Sequence, residues 1–153
     1  MKFTVLIGRI CYALIFLNTI IGHFSQQTIA YAHSHGVPMA SVLVPFSGIL
    51  AFAGALSIIS GYHAKWGAWL IVLFLIPVTF TMHNFWTIAD PMARQLQLTM
   101  FMKNISMLGG ALLISYWGSG PLSLDAKMNS TPVKKVTLTS SAEKGIKFEH
   151  IET

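Results

Sequence analysis

The chain has 153 residues, of which 54% are hydrophobic and only 10% are charged, against about a quarter in an average soluble domain. Residues 1–125 hold five basic and two acidic side chains, and the last 28 residues hold five lysines and three glutamates. Seven charges could not cover the surface of a soluble domain of that size. The composition therefore excludes a disordered chain, a coiled coil and a nucleic-acid-binding arm, and it predicts an integral membrane protein.

Four apolar segments reach the length of about 20 residues that a bilayer-spanning helix needs. In chain order they are residues 3–24, 42–62, 66–86 and 96–117. Residues 25–40 are predicted as a loop, residues 63–65 as a tight turn, and Asp90-Pro91 as a helix start. We therefore expect an all-α fold, an integral membrane four-helix bundle over residues 1–125, followed by a short polar cytoplasmic tail over residues 126–153.

The positive charges are unevenly distributed between the two ends of the predicted bundle. Lys2, Arg9, Lys65 and the five tail lysines belong to one end, whereas the connecting segments at the other end hold only Arg94. Cytoplasmic flanks of membrane proteins carry an excess of Lys and Arg. The sequence thus predicts a multi-pass protein with both termini in the cytoplasm.

Ionisable and amide side chains inside the spans are the candidates for function, because they are costly in hydrocarbon and usually face the protein interior or water. Lys103 lies in the fourth span, and no acid in any span can neutralise it. We expect the face with Lys103 and Asn104 to turn inward, toward an outward-facing polar pocket that accepts a ligand. The alternative is a hydrogen-bonded plug that only fixes packing. The candidate ligand-binding residues are Lys103, Asn104, His83, Asn84, Asn18, His23 and Trp86.

No catalytic residue or metal site is assigned from the sequence. Cys11 is the single cysteine, so the chain can form no intramolecular disulfide and has no CxxC pair. Asp90 and Asp125 lie outside the spans, and no Gly-x-Ser-x-Gly motif occurs. His23, His33 and His35 could ligate zinc or copper, but only Asp90 and no thiol could join them.

Several short motifs, taken in order, resemble the DoxX family of small four-helix bacterial membrane proteins. They are Ile7-Gly8-Arg9, His83-Asn84-Phe85-Trp86, Lys103-Asn104, Leu108-Gly109-Gly110 and Gly120-Pro121-Leu122-Ser123-Leu124-Asp125. Members of that family are linked to membrane oxidoreductase systems, including a subunit of thiosulfate:quinone oxidoreductase, and to oxidative-stress assemblies. The chain departs from the family at His23, where a lysine is common, and at Ala51, where a glutamate is common.

The resemblance implies a bacterial inner-membrane protein that is a non-catalytic component of a redox or quinone-linked complex. Its partners would then be the lipid bilayer and either membrane oxidoreductase subunits or further copies of the chain, with no nucleic acid. A quinone is the one cofactor that this interpretation suggests. The alternative function is a transporter or channel for a small solute, for which Lys103, Asn104 and His83 would line the path.

Overall fold

The computed structural model describes residues 2–130, and these residues form helices without a β-strand. Within that range the α-helices are α1 (Lys2–Thr19), α2 (Gln26–Ser34), α3 (Ala40–Ser60), α4 (Ala64–Met82), α5 (Pro91–Trp117) and α6 (Leu124–Asn129). Short 3-10 turns follow α1 at Ile21–Phe24 and α4 at Phe85–Thr87. Most of the predicted polar tail, including its lysine-rich part, lies outside the described residues.

The predicted fold class is confirmed. In the part of the chain that the structure describes, four helical stretches are long and apolar enough to cross a membrane: Lys2–Phe24, Ala40–Ser60, Ala64–Thr87 and Pro91–Trp117. The fourth starts five residues before the predicted apolar segment. The reason is a helix cap, since the Asp90 carboxylate accepts the Ala93 N–H at 2.7 Å and Pro91 occupies the first turn.

The connection between the first two spans is not the plain loop that the sequence predicted. It contains α2, which Ser25 caps by accepting the Thr28 N–H at 3.2 Å. One turn of α2 faces the bundle, where Ala32 is buried together with Ala40 and Val44 of α3. We call this end of the bundle the loop face, and the opposite end, with Lys2, Gly61 and Trp117, the terminal face.

Small residues let α3 and α4 approach closely, as is common between membrane helices. A Cβ placed on Gly54 would lie 2.7 Å from the Gly67 carbonyl oxygen, so the two backbones are nearly in contact. Ala51, Ala55 and Ala68 are buried along the same contact. Gly54 and Gly67 therefore form part of the packing surface between α3 and α4.

Tyr12 connects the first and last spans. Its ring lies over Gly110, where an added Cβ would be 2.8 Å from the ring, and its hydroxyl donates to the Met107 carbonyl at 2.8 Å. Because apolar side chains gain little by leaving lipid for one another, this polar link is a specific reason for α1 and α5 to meet.

The segment after α5 folds back across the terminal face. Arg9 is buried, and its Nη2 donates to the Leu122 carbonyl at 2.6 Å. The Asp125 carboxylate accepts the N–H groups of His63 at 2.9 Å and of Ala64 at 3.4 Å, and Ser119 donates to it at 3.2 Å. The backbone N–H of His63 is the main reason that the pKa of Asp125 lies below its usual value.

Gly61 is the point where this folded-back segment meets the α3–α4 turn. Its φ is +66°, and its carbonyl accepts the Asp125 N–H at 3.0 Å. A side chain at this position would collide with the Arg9 guanidinium and with Ser123. Only glycine therefore satisfies both the backbone conformation and the space.

We predict that Gly61→Ala lowers the free energy of unfolding by at least about 1–2 kcal/mol, the cost of a left-handed non-glycine residue, before the collision with Arg9 is added. Thermal unfolding of the detergent-purified protein, followed by circular dichroism, measures the change. Gly109→Ala is the matched control, because nothing lies within 4 Å of a Cβ there and alanine favours a helix. Equal thermal midpoints for the two variants would contradict the prediction.

Candidate ligand cavity

A cavity of about 620 Å³ lies near the loop face, between α2, α3 and α4. Its wall is mainly apolar and includes Val44, Leu50 and Phe74. Leu43 and Phe46 of α3 and Leu73 of α4 also line it and are exposed, so the cavity is open along the spanning part of these two helices. The polar groups on its wall are few: His23, Thr28, Tyr31, Ser47, Thr81 and His83.

His23 is held in the wall by three contacts. Its ring packs edge-on against Phe74 at 5.7 Å between centroids, and its Cβ would lie 2.6 Å from a Cβ added to Gly48. Its Nδ1 lies 2.9 Å from the Thr19 carbonyl oxygen. Since a carbonyl can only accept, Nδ1 donates this bond, and in the neutral ring Nε2 is the remaining acceptor.

His83 follows the last turn of α4 and belongs to a polar chain at the loop face. Its Nδ1 lies 2.7 Å from Gln97 Oε1 of α5, and Gln97 Nε2 donates to the Tyr31 hydroxyl of α2 at 3.4 Å. With the amide in that orientation, Nδ1 of His83 is the donor and Nε2 is again the acceptor of the neutral ring. These two hydrogen bonds therefore connect α2, the end of α4, and α5 beside the cavity.

Lys103 does not turn inward, and the prediction that it would is wrong. Its side chain is exposed, and its Nζ lies 3.6 Å from the Met100 sulfur, one turn toward the start of α5. Two residues earlier, Phe101 packs against Phe85 and Trp86. Lys103 thus lies on the helix surface within one turn of the level of these aromatic rings, and a lysine stem can carry its ammonium along that surface toward lipid headgroups without a buried partner.

The remaining candidates are not gathered around this cavity. Asn18 is exposed on α1, Trp86 is half exposed beside Phe101, and Asn84 is partly buried where the Phe85–Thr87 turn begins. Asn104 is buried within the bundle, as expected, but it does not line the cavity. Of the seven predicted residues, the structure brings only His23 and His83 to one site. Whether any of the seven binds a ligand stays a prediction.

Sequence reasoning missed Tyr31, Gln97 and Phe74. Tyr31 lies in the segment predicted as a loop, for which the sequence does not indicate which side chains point toward the bundle. Gln97 is the second residue of the predicted fourth span. An amide near the end of a span needs a hydrogen-bond partner, so its position could have indicated a polar contact with a neighbouring helix. Within residues 2–130, no three histidine, cysteine or acidic side chains are grouped as a metal ion would require.

Comparison with known proteins agrees with this architecture. The DoxX family profile matches residues 4–84, just over half of the chain and the part that supplies α1 to α4 with both histidines of the cavity. The chain belongs to the DoxX family. No solved structure matches it significantly.

Named relatives of this DoxX-family chain include two inner membrane proteins of Escherichia coli K12. Inner membrane protein YqjF is 31% identical over 130 residues, which are 82% of this chain and 92% of YqjF. Inner membrane protein YphA is 27% identical over 126 residues, which are 80% of this chain and 88% of YphA. A segment of 82 residues is also 30% identical to the ER-derived vesicles protein ERV29 of Saccharomyces cerevisiae, covering 54% of this chain and 26% of that protein.

We predict that Gly48→Ala displaces the His23 ring from the cavity wall, because a methyl group there would press on His23 Cβ and Cγ. The carbethoxylation rate of His23 with diethyl pyrocarbonate, read by mass spectrometry, should then rise severalfold. Gly8→Ala is the matched control, since a Cβ there meets nothing within 4 Å. An unchanged rate in Gly48→Ala would show that His23 does not depend on this contact.

Proposed function

We propose that this DoxX-family protein is a non-catalytic component of a membrane redox or quinone-linked system, and that its cavity holds a lipophilic molecule of the quinone class. The observation that carries the proposal is the cavity of about 620 Å³ with an apolar wall and two imidazoles and a phenol among its few polar groups. Binding sites for small molecules combine these features, an apolar body with a few placed polar groups.

The hydrogen bonds of the two histidines favour this ligand class. His23 and His83 each use Nδ1 as a donor, toward Thr19 and Gln97 respectively. Each neutral ring then offers Nε2 as an acceptor for a hydroxyl, and each protonated ring offers a donor for a carbonyl. A quinone carries carbonyl oxygens, and its reduced form carries hydroxyls in the same places, on an apolar ring.

An accessory role accounts for the cavity better than a self-contained enzyme does. The residues that line it include no carboxylate and no thiol. Cys11, the single cysteine, is exposed on α1 and does not line it. We therefore propose that electron transfer takes place in a partner, which would be another subunit of a membrane oxidoreductase.

The alternative, a small-solute transporter, has one feature in its favour. Pro77 lies inside α4 and lines the cavity, and a proline is a place where a helix can bend. Such a carrier would also need a path from the cavity to the terminal face. Ile58, Ile71 and Leu75 are fully buried in the core and fill space along that direction, which weighs against this alternative.

Binding of a short-chain ubiquinone analogue to the detergent-purified protein tests the proposal. We expect saturable binding in titration calorimetry, weakened about tenfold by His23→Phe or His83→Phe, since each change keeps an aromatic ring but removes one polar contact. His33→Phe is the matched control, because His33 is exposed and does not line the cavity. Equal binding by all three variants would refute the proposal, and absence of binding would refute it as well.

We also propose that the terminal face lies in the cytoplasm. Lys2, Arg9 and Lys65 lie toward this face, and Lys127 follows α5 there, whereas Arg94 lies in the first turn of α5 at the loop face. Positive charge favours the cytoplasmic side. A phosphatase reporter inserted after Ser34 should therefore be active in the periplasm, and one fused after Ser130 should be inactive. The reverse pattern would invert the orientation.

A further inference from the structure

A second cavity, of about 480 Å³, lies at the terminal face and is separate from the first. It is an open cavity lined by the start of α4, the end of α5, the segment that follows it, and α6, and its polar groups include Lys65, Ser119 and Asp125. Because α4 begins at Ala64 and α5 ends at Trp117, the cavity lies where the spans leave the membrane. The proposed function does not use it.

One wall of this cavity carries a carboxylate with acceptor capacity to spare. Asp125 accepts the His63 N–H on Oδ1 and two weaker bonds on Oδ2, from Ala64 N–H and the Ser119 hydroxyl. A carboxylate has about four acceptor sites, so one site remains on Oδ1. A donor N–H of a ligand, and above all a charged one, could occupy it.

The same cavity is also lined by a cation, Lys65, for which residues 2–130 provide no recorded partner. The stem of Lys65 lies over Gly118, where an added Cβ would be 3.2 Å from Lys65 Cε. The ammonium of Lys65 forms no hydrogen bond or ion pair with any side chain of residues 2–130 that the structure records. It is therefore available to an anion in the same cavity that holds Asp125.

Two indoles mark this cavity as a membrane site. Trp66 is 73% exposed and Trp117 is 77% exposed, and both line it. Exposed tryptophans of membrane proteins lie at the level of the lipid headgroups, with the ring in the apolar region and the N–H toward polar groups. A ligand between them would have an apolar part beside the rings and a charged part between Lys65 and Asp125.

We propose that this cavity binds the headgroup of a phospholipid with a primary ammonium, of the phosphatidylethanolamine type. Lys65 contacts the phosphate, and Asp125 accepts an N–H of the ammonium on Oδ1. Both charges of the headgroup then have a partner of opposite sign. A trimethylammonium headgroup has no N–H for Asp125, and a headgroup with net negative charge would meet the Asp125 carboxylate.

Native mass spectrometry of the full chain, released from detergent and titrated with lipids of identical acyl chains, tests the proposal. We expect phosphatidylethanolamine to bind about tenfold more tightly than phosphatidylcholine, the worth of one charge-assisted hydrogen bond. Lys65→Gln should weaken both lipids about tenfold and keep the preference between them. Lys103→Gln, which removes an exposed lysine toward the other face, is the matched control and should change neither affinity.

Each of four results would overturn the proposal. Equal affinity for the two lipids would mean that Asp125 takes no ammonium, and tighter binding of phosphatidylglycerol would mean a simple anion site. Equal binding by wild type and Lys65→Gln, with both folded by circular dichroism, would remove the phosphate contact. Displacement of the lipid by equimolar soluble phosphoethanolamine would show that the ligand is not a membrane lipid. All of these readouts are independent of quinone binding.

Discussion

The hydrogen bonds of Asp125 determine how the terminal face is built. In a bilayer, apolar helices have no strong preference for one another over lipid, so polar links decide which helix ends meet. The Asp125 carboxylate accepts the backbone N–H of His63 at the start of α4, 62 residues earlier in the chain. The backbone N–H of Asp125 donates to the Gly61 carbonyl. Arg9 holds the same returning segment from the side of α1, through Leu122. Together these bonds join α1, α4 and the end of α5.

The spans were predictable because membrane insertion imposes a simple rule on length and composition. Four apolar segments gave four spanning helices, and Asp90-Pro91 gave the start of the last one. The helix α2 was missed for a physical reason. Polar and apolar residues alternate irregularly along it, and Ala32 is its only buried residue. The sequence therefore shows no apolar face with the period of a helix. Tertiary contact with Ala40 and Val44 decides its position.

The candidate site was less predictable, because it depends on rotation of side chains about the helices rather than on depth. His23 and His83 were found from their residue type and their level in the spans. Lys103 was misplaced by the assumption that a buried cation must face the interior. Its level beside Phe101 offers a second solution, a stem that follows the surface toward the headgroups. Tyr31 could not be assigned to the site from the sequence, because the helix α2, which directs its side chain to the cavity, was not predicted.

The opening of the first cavity along α3 and α4 has a consequence for what could fill it. Leu43, Phe46 and Leu73 line that cavity and are exposed on the spanning part of these helices, where the outer surface is apolar. An occupant that enters by this route arrives by lateral diffusion in the bilayer. Its occupancy then follows its mole fraction among the lipids, and a sparingly soluble compound that partitions strongly into the membrane can saturate the cavity while its aqueous concentration stays negligible.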